Sequence, residues 1–185
     1  KVSKKELYRQ LKLSVSYNIE IFNEIINNNG LLFILGIFFN SSIIAMVSTC
    51  KTLFYFFPRK IFQTLNHPIY YEYSSLFANK KIENVKYIFK KHLRIVFVGA
   101  SLLVLFFFFW GPSIYNLWLN SKFIIDYHLI YIIVLIAFFE IISQALITPQ
   151  KSVNRFFKIS FLKFVLSGTS LIISIFLFYL SFHFS

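Results

Sequence analysis

The sequence predicts an all-α polytopic membrane helix bundle with about five transmembrane helices, and three observations lead there. The chain is 57% hydrophobic and only 14% charged, whereas a soluble domain carries about 25% charged residues. Its apolar residues fall into blocks of roughly the 20 residues needed to cross a bilayer. Its basic residues are parcelled between those blocks. The blocks are too long and too uniformly apolar for tilted barrel strands of about 9–11 residues, so helices are the expected form.

The predicted spans run approximately Leu13–Phe39, Ser42–Gln63, Ile95–Trp110, Tyr127–Thr148 and Phe164–Phe182. Between the second and third, residues 64–94 read as a cytoplasmic amphipathic connection. There Ile69, Leu76, Phe77, Ile82, Val85, Phe89 and Leu93 recur near helical spacing among lysines and tyrosines. A solvated charged turn is the alternative for Ala78–Asn84. Gly111-Pro112 and Asn120-Ser121 bracket an expected outer loop carrying Tyr115, Trp118 and Tyr127 as interfacial aromatics. The chain opens on Lys1 without a short apolar leader, and a fragment of a longer protein is expected.

Orientation follows from the basic residues. Fifteen of the nineteen Lys and Arg fall before the first span, in the 64–94 connection or between the fourth and fifth spans. The opposite side holds Lys122, and Lys51, Arg59 and Lys60 lie within the second span. The positive-inside rule therefore places residue 1 in the cytoplasm and residue 185 outside. The net charge of +12 does not point to nucleic acid, because it is divided among hydrophobic spans and no basic recognition helix or aromatic RNA-binding motif accompanies it. Membrane lipids with anionic headgroups are the expected partners of these lysines.

Charges inside the spans carry the functional signal. An ionisable group at mid-membrane costs at least about 2.5 kcal/mol, so it normally faces a partner or a watery cavity. In the first span Ser16, Glu20, Asn23, Glu24 and Asn27 share one helical face. That face lines a cavity or acts as polar glue between helices. The run Asn27-Asn28-Asn29-Gly30, rich in poor helix formers, is expected to loosen the helix near mid-membrane.

In the second span Ser48, Lys51, Thr52, Tyr55, Arg59 and Gln63 form a polar stripe. Counted from Ser42, Lys51 lies about 13 Å deep and Arg59 about 25 Å deep. Lys51 is thus near the midplane, while Arg59 either joins it or snorkels to the cytoplasmic headgroups. Pro58 is expected to kink the helix beside Arg59. Glu24 and Lys51 have similar depths, and a buried pair between them is one alternative. Glu140, deep in the fourth span with Ser143 and Gln144 near it, binds a coupling cation or is protonated and hydrogen-bonded.

Catalysis finds no support: the chain has no GxSxG, Walker A or GxGxxG motif, and its deep carboxylates have no neighbouring histidine. No cofactor or metal is expected, since the four histidines are scattered and Cys50 is alone. Cys50 reads as a small apolar residue.

From Asn40 through Arg155 the pattern resembles the second half of an O-antigen (Wzx-type) polysaccharide flippase, within the multidrug/oligosaccharidyl-lipid/polysaccharide exporter superfamily. The pieces are Asn40-Ser41-Ser42-Ile43-Ile44-Ala45, then Lys51-Thr52-Leu53 where relatives tend to have Arg-Thr-Leu. Asn66-His67-Pro68-Ile69-Tyr70-Tyr71-Glu72-Tyr73-Ser74, Ile114-Tyr115-Asn116-Leu117-Trp118 and Asn154-Arg155 follow in order. The resemblance implies that the chain forms most of one lobe of a two-lobe exporter, with a missing N-terminal lobe supplying half of a central cavity. It implies transport of an undecaprenyl-pyrophosphate-linked oligosaccharide across the cell inner (cytoplasmic) membrane by alternating access. It gives Lys51 the role of attracting the pyrophosphate; Lys in place of Arg keeps the charge but weakens bidentate recognition. Arg59, without a motif match, is secondary, and Thr52 and Tyr55 complete the expected substrate-binding set. Glu20, Asn23, Glu24, Asn27 and Glu140 are the expected cavity and ion-coupling positions. The rivals are a multidrug cation exporter of the same superfamily, in which Glu20, Glu24 and Glu140 bind cations or protons, and a membrane glycan polymerase or ligase. The Gly111–Asp126 loop is short for the last.

Overall fold

The computed structural model describes residues 3–119 and 127–183, and among them every regular element is helical. In order these are α1 (Lys4–Phe38), α2 (Ser41–Lys51), a π-helical turn (Thr52–Phe56), α3 (Phe57–Ala78), α4 (Ile82–Leu119), α5 (Tyr127–Ser152) and α6 (Phe157–His183). Four stretches are long and apolar enough to cross a membrane: Glu6–Phe38, Ile82–Leu119, Tyr127–Ser152 and Phe157–Leu180. Large apolar side chains stand exposed along them, among them Phe97, Leu102, Phe109 and Trp110 on α4 and Ile172, Phe176 and Leu177 on α6. Exposed apolar surface on this scale suits lipid rather than water. The chain is an all-α polytopic membrane protein.

The chain divides into two compact units, 1–44 with 154–185, and 45–153. In the first, α1 and α6 run in the same direction. Lys12 Nζ sits over the Phe157 ring, Glu20 meets Ser160, and Phe38 stacks on Phe178. The Ser3 hydroxyl caps α1 by accepting from the Glu6 N–H at 3.2 Å, and the Asn40 side-chain Oδ1 accepts from the Ile43 N–H at 3.1 Å as α2 begins.

The Asn27–Gly30 run does not loosen α1, which is continuous to Phe38. Two causes oppose the expectation. A backbone out of reach of water keeps its internal hydrogen bonds. Gly30 is also a packing residue: a Cβ there would lie 2.7 Å from Leu171 Cδ1, so its missing side chain lets α6 approach.

In the second unit, α3 and α4 form an antiparallel hairpin. Phe62 touches Gly99, and Tyr73 reaches His92. α5 lies antiparallel to α4, with Gly111 against Ile130 and Phe97 against Phe138. It runs with α3, as Phe62 shares a core with Ile141 and Ala145, and the Tyr70 hydroxyl donates to the Lys151 carbonyl at 3.4 Å. Alternating direction is what successive membrane crossings require. Cys50 is fully buried among Phe54, Tyr115 and Ile130, acting as the small apolar residue that was expected.

Two boundaries differ from the sequence reading. The 64–94 connection is not a separate elbow but the extended ends of α3 and α4, joined at Asn79–Lys81. Lys80 takes a left-handed backbone (φ 55°) there, and the N–H groups of Lys80 and Lys81 donate to the carbonyls of Phe77 and Leu76. That is the Schellman ending of a helix, with lysine where glycine is usual. At about 57 Å, α4 is far longer than a hydrocarbon core of about 30 Å, which leaves room for an extramembrane extension.

The outer loop expected from Gly111 is overturned as far as Leu119, because α4 runs through Pro112 to that residue. Gly111 is not a turn residue but a contact point: a Cβ would stand 3.2 Å from Ile130 Cγ2. Tyr115 is likewise a fully buried core residue, not an interfacial aromatic. The remainder of that loop, 120–126, lies outside the described residues.

Candidate functional site

The local path of the second predicted span is set by Pro58. Proline has no N–H to donate, and in a regular helix its ring collides with the carbonyl four residues back. Ahead of it the helix widens into the π turn, where the Phe57 N–H donates to the Thr52 carbonyl, five residues back. Such turns are frequent at functional sites. The expected disturbance beside Arg59 is therefore a widening.

Around this turn three substrate-binding candidates come together. Lys51, Tyr55 and Arg59 are 6%, 5% and 8% exposed. Lys51 Nζ lies 5.8 Å from the Tyr55 ring centroid and 5.9 Å from that of Phe56, and Arg59 Cζ lies 5.8 Å from the Tyr55 centroid. The electron-rich ring thus stands beside both cations and attracts each. Arg59 is buried here, not extended to the surface. Thr52 is not brought in: it is exposed, and its hydroxyl donates to the Ser48 carbonyl at 2.9 Å. Gln63 accepts from Lys60 Nζ at 3.1 Å on an exposed face. The broad polar stripe of the sequence is in fact a buried cationic row of Lys51, Tyr55 and Arg59 with exposed flanks.

The acidic candidates of α1 belong to the first unit. The Ser160 hydroxyl donates to Glu20 Oε2 at 2.8 Å, joining α1 to α6. The Ser16 hydroxyl donates to the Lys12 carbonyl at 2.7 Å. Asn23 is 4% exposed, and its side-chain Oδ1 has no hydrogen-bond partner among the described residues. Glu24 is half-buried, and Asn27 is exposed along a groove of about 370 Å³ between α1 and α6. Gly30, Ser167, Ser170 and Ser174 also line that groove. Glu24 and Lys51 fall in different units.

Glu140, on α5, accepts from Gln144 Nε2 at 2.7 Å, and Gln144 Oε1 in turn accepts from Lys151 Nζ at 3.4 Å. Ser143 lies half-buried beside Gln144 on the same helix. Among the described residues no group of three or more His, Cys, Asp or Glu converges as metal ligands would.

Comparison with protein-family models, with curated proteins and with solved structures finds no match. The chemistry of the side chains therefore carries the functional argument. Lys51 and Arg59 offer ammonium and guanidinium donors suited to phosphate oxygens.

Sequence reasoning missed Ser160 as the partner of Glu20, because 140 positions separate them and nothing local marks the pair. It also missed a buried cluster at the α3–α4 hairpin. His92 Nε2 lies 2.8 Å from Asn66 Oδ1, and Nδ1 lies 3.4 Å from the Tyr73 hydroxyl. An Nε2–H tautomer satisfies both contacts, donating to Asn66 and accepting from Tyr73. Burial, helped by the charge of Glu72, pushes the Tyr73 phenol up to about 12.

Proposed function

We propose that this chain is the C-terminal part of a flippase that moves an undecaprenyl-pyrophosphate-linked oligosaccharide across the cytoplasmic membrane for surface polysaccharide biosynthesis. The observation that carries the reading is the row of Lys51, Tyr55 and Arg59 at the π turn, two buried cations beside one aromatic ring on the helix that the sequence predicts as the second span. Buried cations on a spanning helix mark substrate pathways. A pyrophosphate is the group on a glycolipid that pairs with both. The protein acts by alternating access with an N-terminal lobe, as a transporter and not an enzyme, with residue 1 in the cytoplasm.

A multidrug cation exporter is the second reading. It draws on the acidic face of α1, where Glu20 is bonded to Ser160 and the buried Asn23 Oδ1 has no hydrogen-bond partner among the described residues.

The full-length protein in proteoliposomes separates the two. Movement of a fluorescent lipid-pyrophosphate oligosaccharide between leaflets, with no uptake of a cationic dye, is the expected result. Dye uptake without glycolipid movement overturns the first reading in favour of the second.

A further inference from the structure

At the basic end of the first unit, α1 and α6 enclose a pocket of about 270 Å³ lined by Lys12, Ser16, Asn154, Arg155, Phe157 and Lys158. We infer that this pocket holds the phosphate of an anionic phospholipid headgroup. The inference is separate from the glycolipid reading, because it concerns the bilayer around the protein and not the cargo.

Charge is the first argument. Three of the lining side chains are cations and none is an acid. None of the three makes an ion pair among the described residues. Lys12 Nζ rests 5.3 Å over the Phe157 ring, a contact that positions the ammonium without neutralising it. Phe157 also opens α6, a helix of 27 residues, whose dipole adds positive partial charge at the same place.

Geometry is the second. The turn into α6 is pinned: Asn154 has a left-handed backbone (φ 57°), its Oδ1 accepts from the Tyr17 hydroxyl at 3.2 Å, and the Tyr17 ring packs edge-on against Phe156 at 5.0 Å. Asparagine tolerates that backbone region better than most residues. Arg155 and Lys158 thus leave a fixed corner beside Lys12 and need little reordering to meet an anion.

Position selects a lipid over free phosphate. Leu11 and Val15 on α1, with Phe161 and Leu162 on α6, are exposed within a turn or so of the cations. A headgroup phosphate bound to Lys12, Arg155 and Lys158 therefore leaves its acyl chains against apolar surface. Basic pockets between transmembrane helices bind anionic headgroups in this way.

The test titrates the purified full chain in a neutral detergent with short-chain phosphatidylglycerol, with short-chain phosphatidylcholine and with inorganic phosphate, reading bound lipid by native mass spectrometry. Two triple variants are compared, each with helicity and monodispersity checked. One is Lys12→Gln/Arg155→Gln/Lys158→Gln; the other, Lys81→Gln/Lys90→Gln/Lys91→Gln, removes equal charge elsewhere. Removing one cation weakens an anionic lipid about 5-fold, so the pocket triple is expected to lose at least about 10-fold in phosphatidylglycerol affinity. The control triple keeps wild-type affinity, and phosphatidylcholine binds neither selectively nor competitively. Equal binding of the two lipids, or equal loss in both triples, overturns the site in favour of diffuse attraction. Displacement of phosphatidylglycerol by millimolar phosphate overturns the lipid assignment in favour of a free-phosphate site.

Discussion

The Tyr55 ring stands 5.8 Å from Lys51 Nζ and 5.8 Å from Arg59 Cζ, so one aromatic residue is shared by two buried cations on the same helix. Like charges held near one another repel, and the face of an aromatic ring is one of the few apolar surfaces that attracts both. The Tyr55 ring therefore helps to hold both cations in their buried positions.

That relationship predicts the behaviour of Tyr55 variants. Tyr55→Phe retains the ring and is expected to export glycolipid at close to the wild-type rate. Tyr55→Leu keeps the volume roughly but removes the attraction for two cations, about 1–2 kcal/mol in all, which corresponds to roughly a 5- to 30-fold loss of export. Surface glycan measured at matched membrane expression checks this. Equal loss in both variants assigns the role to the hydroxyl.

Packing of α1 on α6 is tested at Gly30. Gly30→Leu drives a side chain into Leu171 and is expected to destabilise the protein by about 1–3 kcal/mol. Adding Leu171→Ala recovers at least half of the loss, because the two changes exchange volume at one contact. Thermal unfolding in detergent measures both, and additive losses in the double variant contradict the contact.

The continuity of α1 through Gly30 shows where sequence reasoning works and where it stops. Four of the five predicted spans fall on helices long and apolar enough to cross a membrane, and Ser42–Gln63 does not; the four were legible because the length of an apolar run is a one-dimensional property set by bilayer thickness. Helix continuity at Asn27–Gly30 and at Gly111-Pro112 was not, because glycine and proline signal breaks only when water can take the freed backbone groups. Both glycines instead answer to side chains distant in sequence, Leu171 and Ile130. At the candidate site the stripe through Lys51, Tyr55 and Arg59 was readable from helical spacing. Its narrowing to a buried row, with Thr52 outside, depends on burial that spacing does not encode. Ser160, His92 and the pocket at Lys12 and Lys158 needed the tertiary pairing of helices.

The α3–α4 turn offers a stabilising substitution. Lys80 occupies the left-handed position of a Schellman ending, which a residue with a Cβ adopts at a cost of about 1–2 kcal/mol. Lys80→Gly removes that strain while loosening the unfolded chain, for an expected net gain of about 0.5–1 kcal/mol. A higher unfolding midpoint in Lys80→Gly than in Lys80→Ala is the expected result, and a lower one contradicts the assigned backbone geometry.

Tyr73 gives a pH dependence with a definite sign. Its phenol pKa is raised from the ordinary value near 10 to about 12, mainly by burial and next by Glu72. The folded state therefore holds the proton after the unfolded state has released it. The stability carried by this phenol is fully present below about pH 10 and is lost as pH rises toward and through about 12. Thermal unfolding of wild type should fall more steeply than that of Tyr73→Phe across pH 10 to 12. Parallel curves contradict the buried, bonded phenol.

The most direct test of the central claim is surface glycan display in cells that lack their own flippase and carry the full-length gene as wild type or Lys51→Glu, at matched membrane expression and with a matched glycan supplied. An anionic cargo drawn to the Lys51, Tyr55 and Arg59 row predicts that wild type restores display and that Lys51→Glu does not. Restoration by both contradicts the role of Lys51, and failure of wild type contradicts glycolipid export.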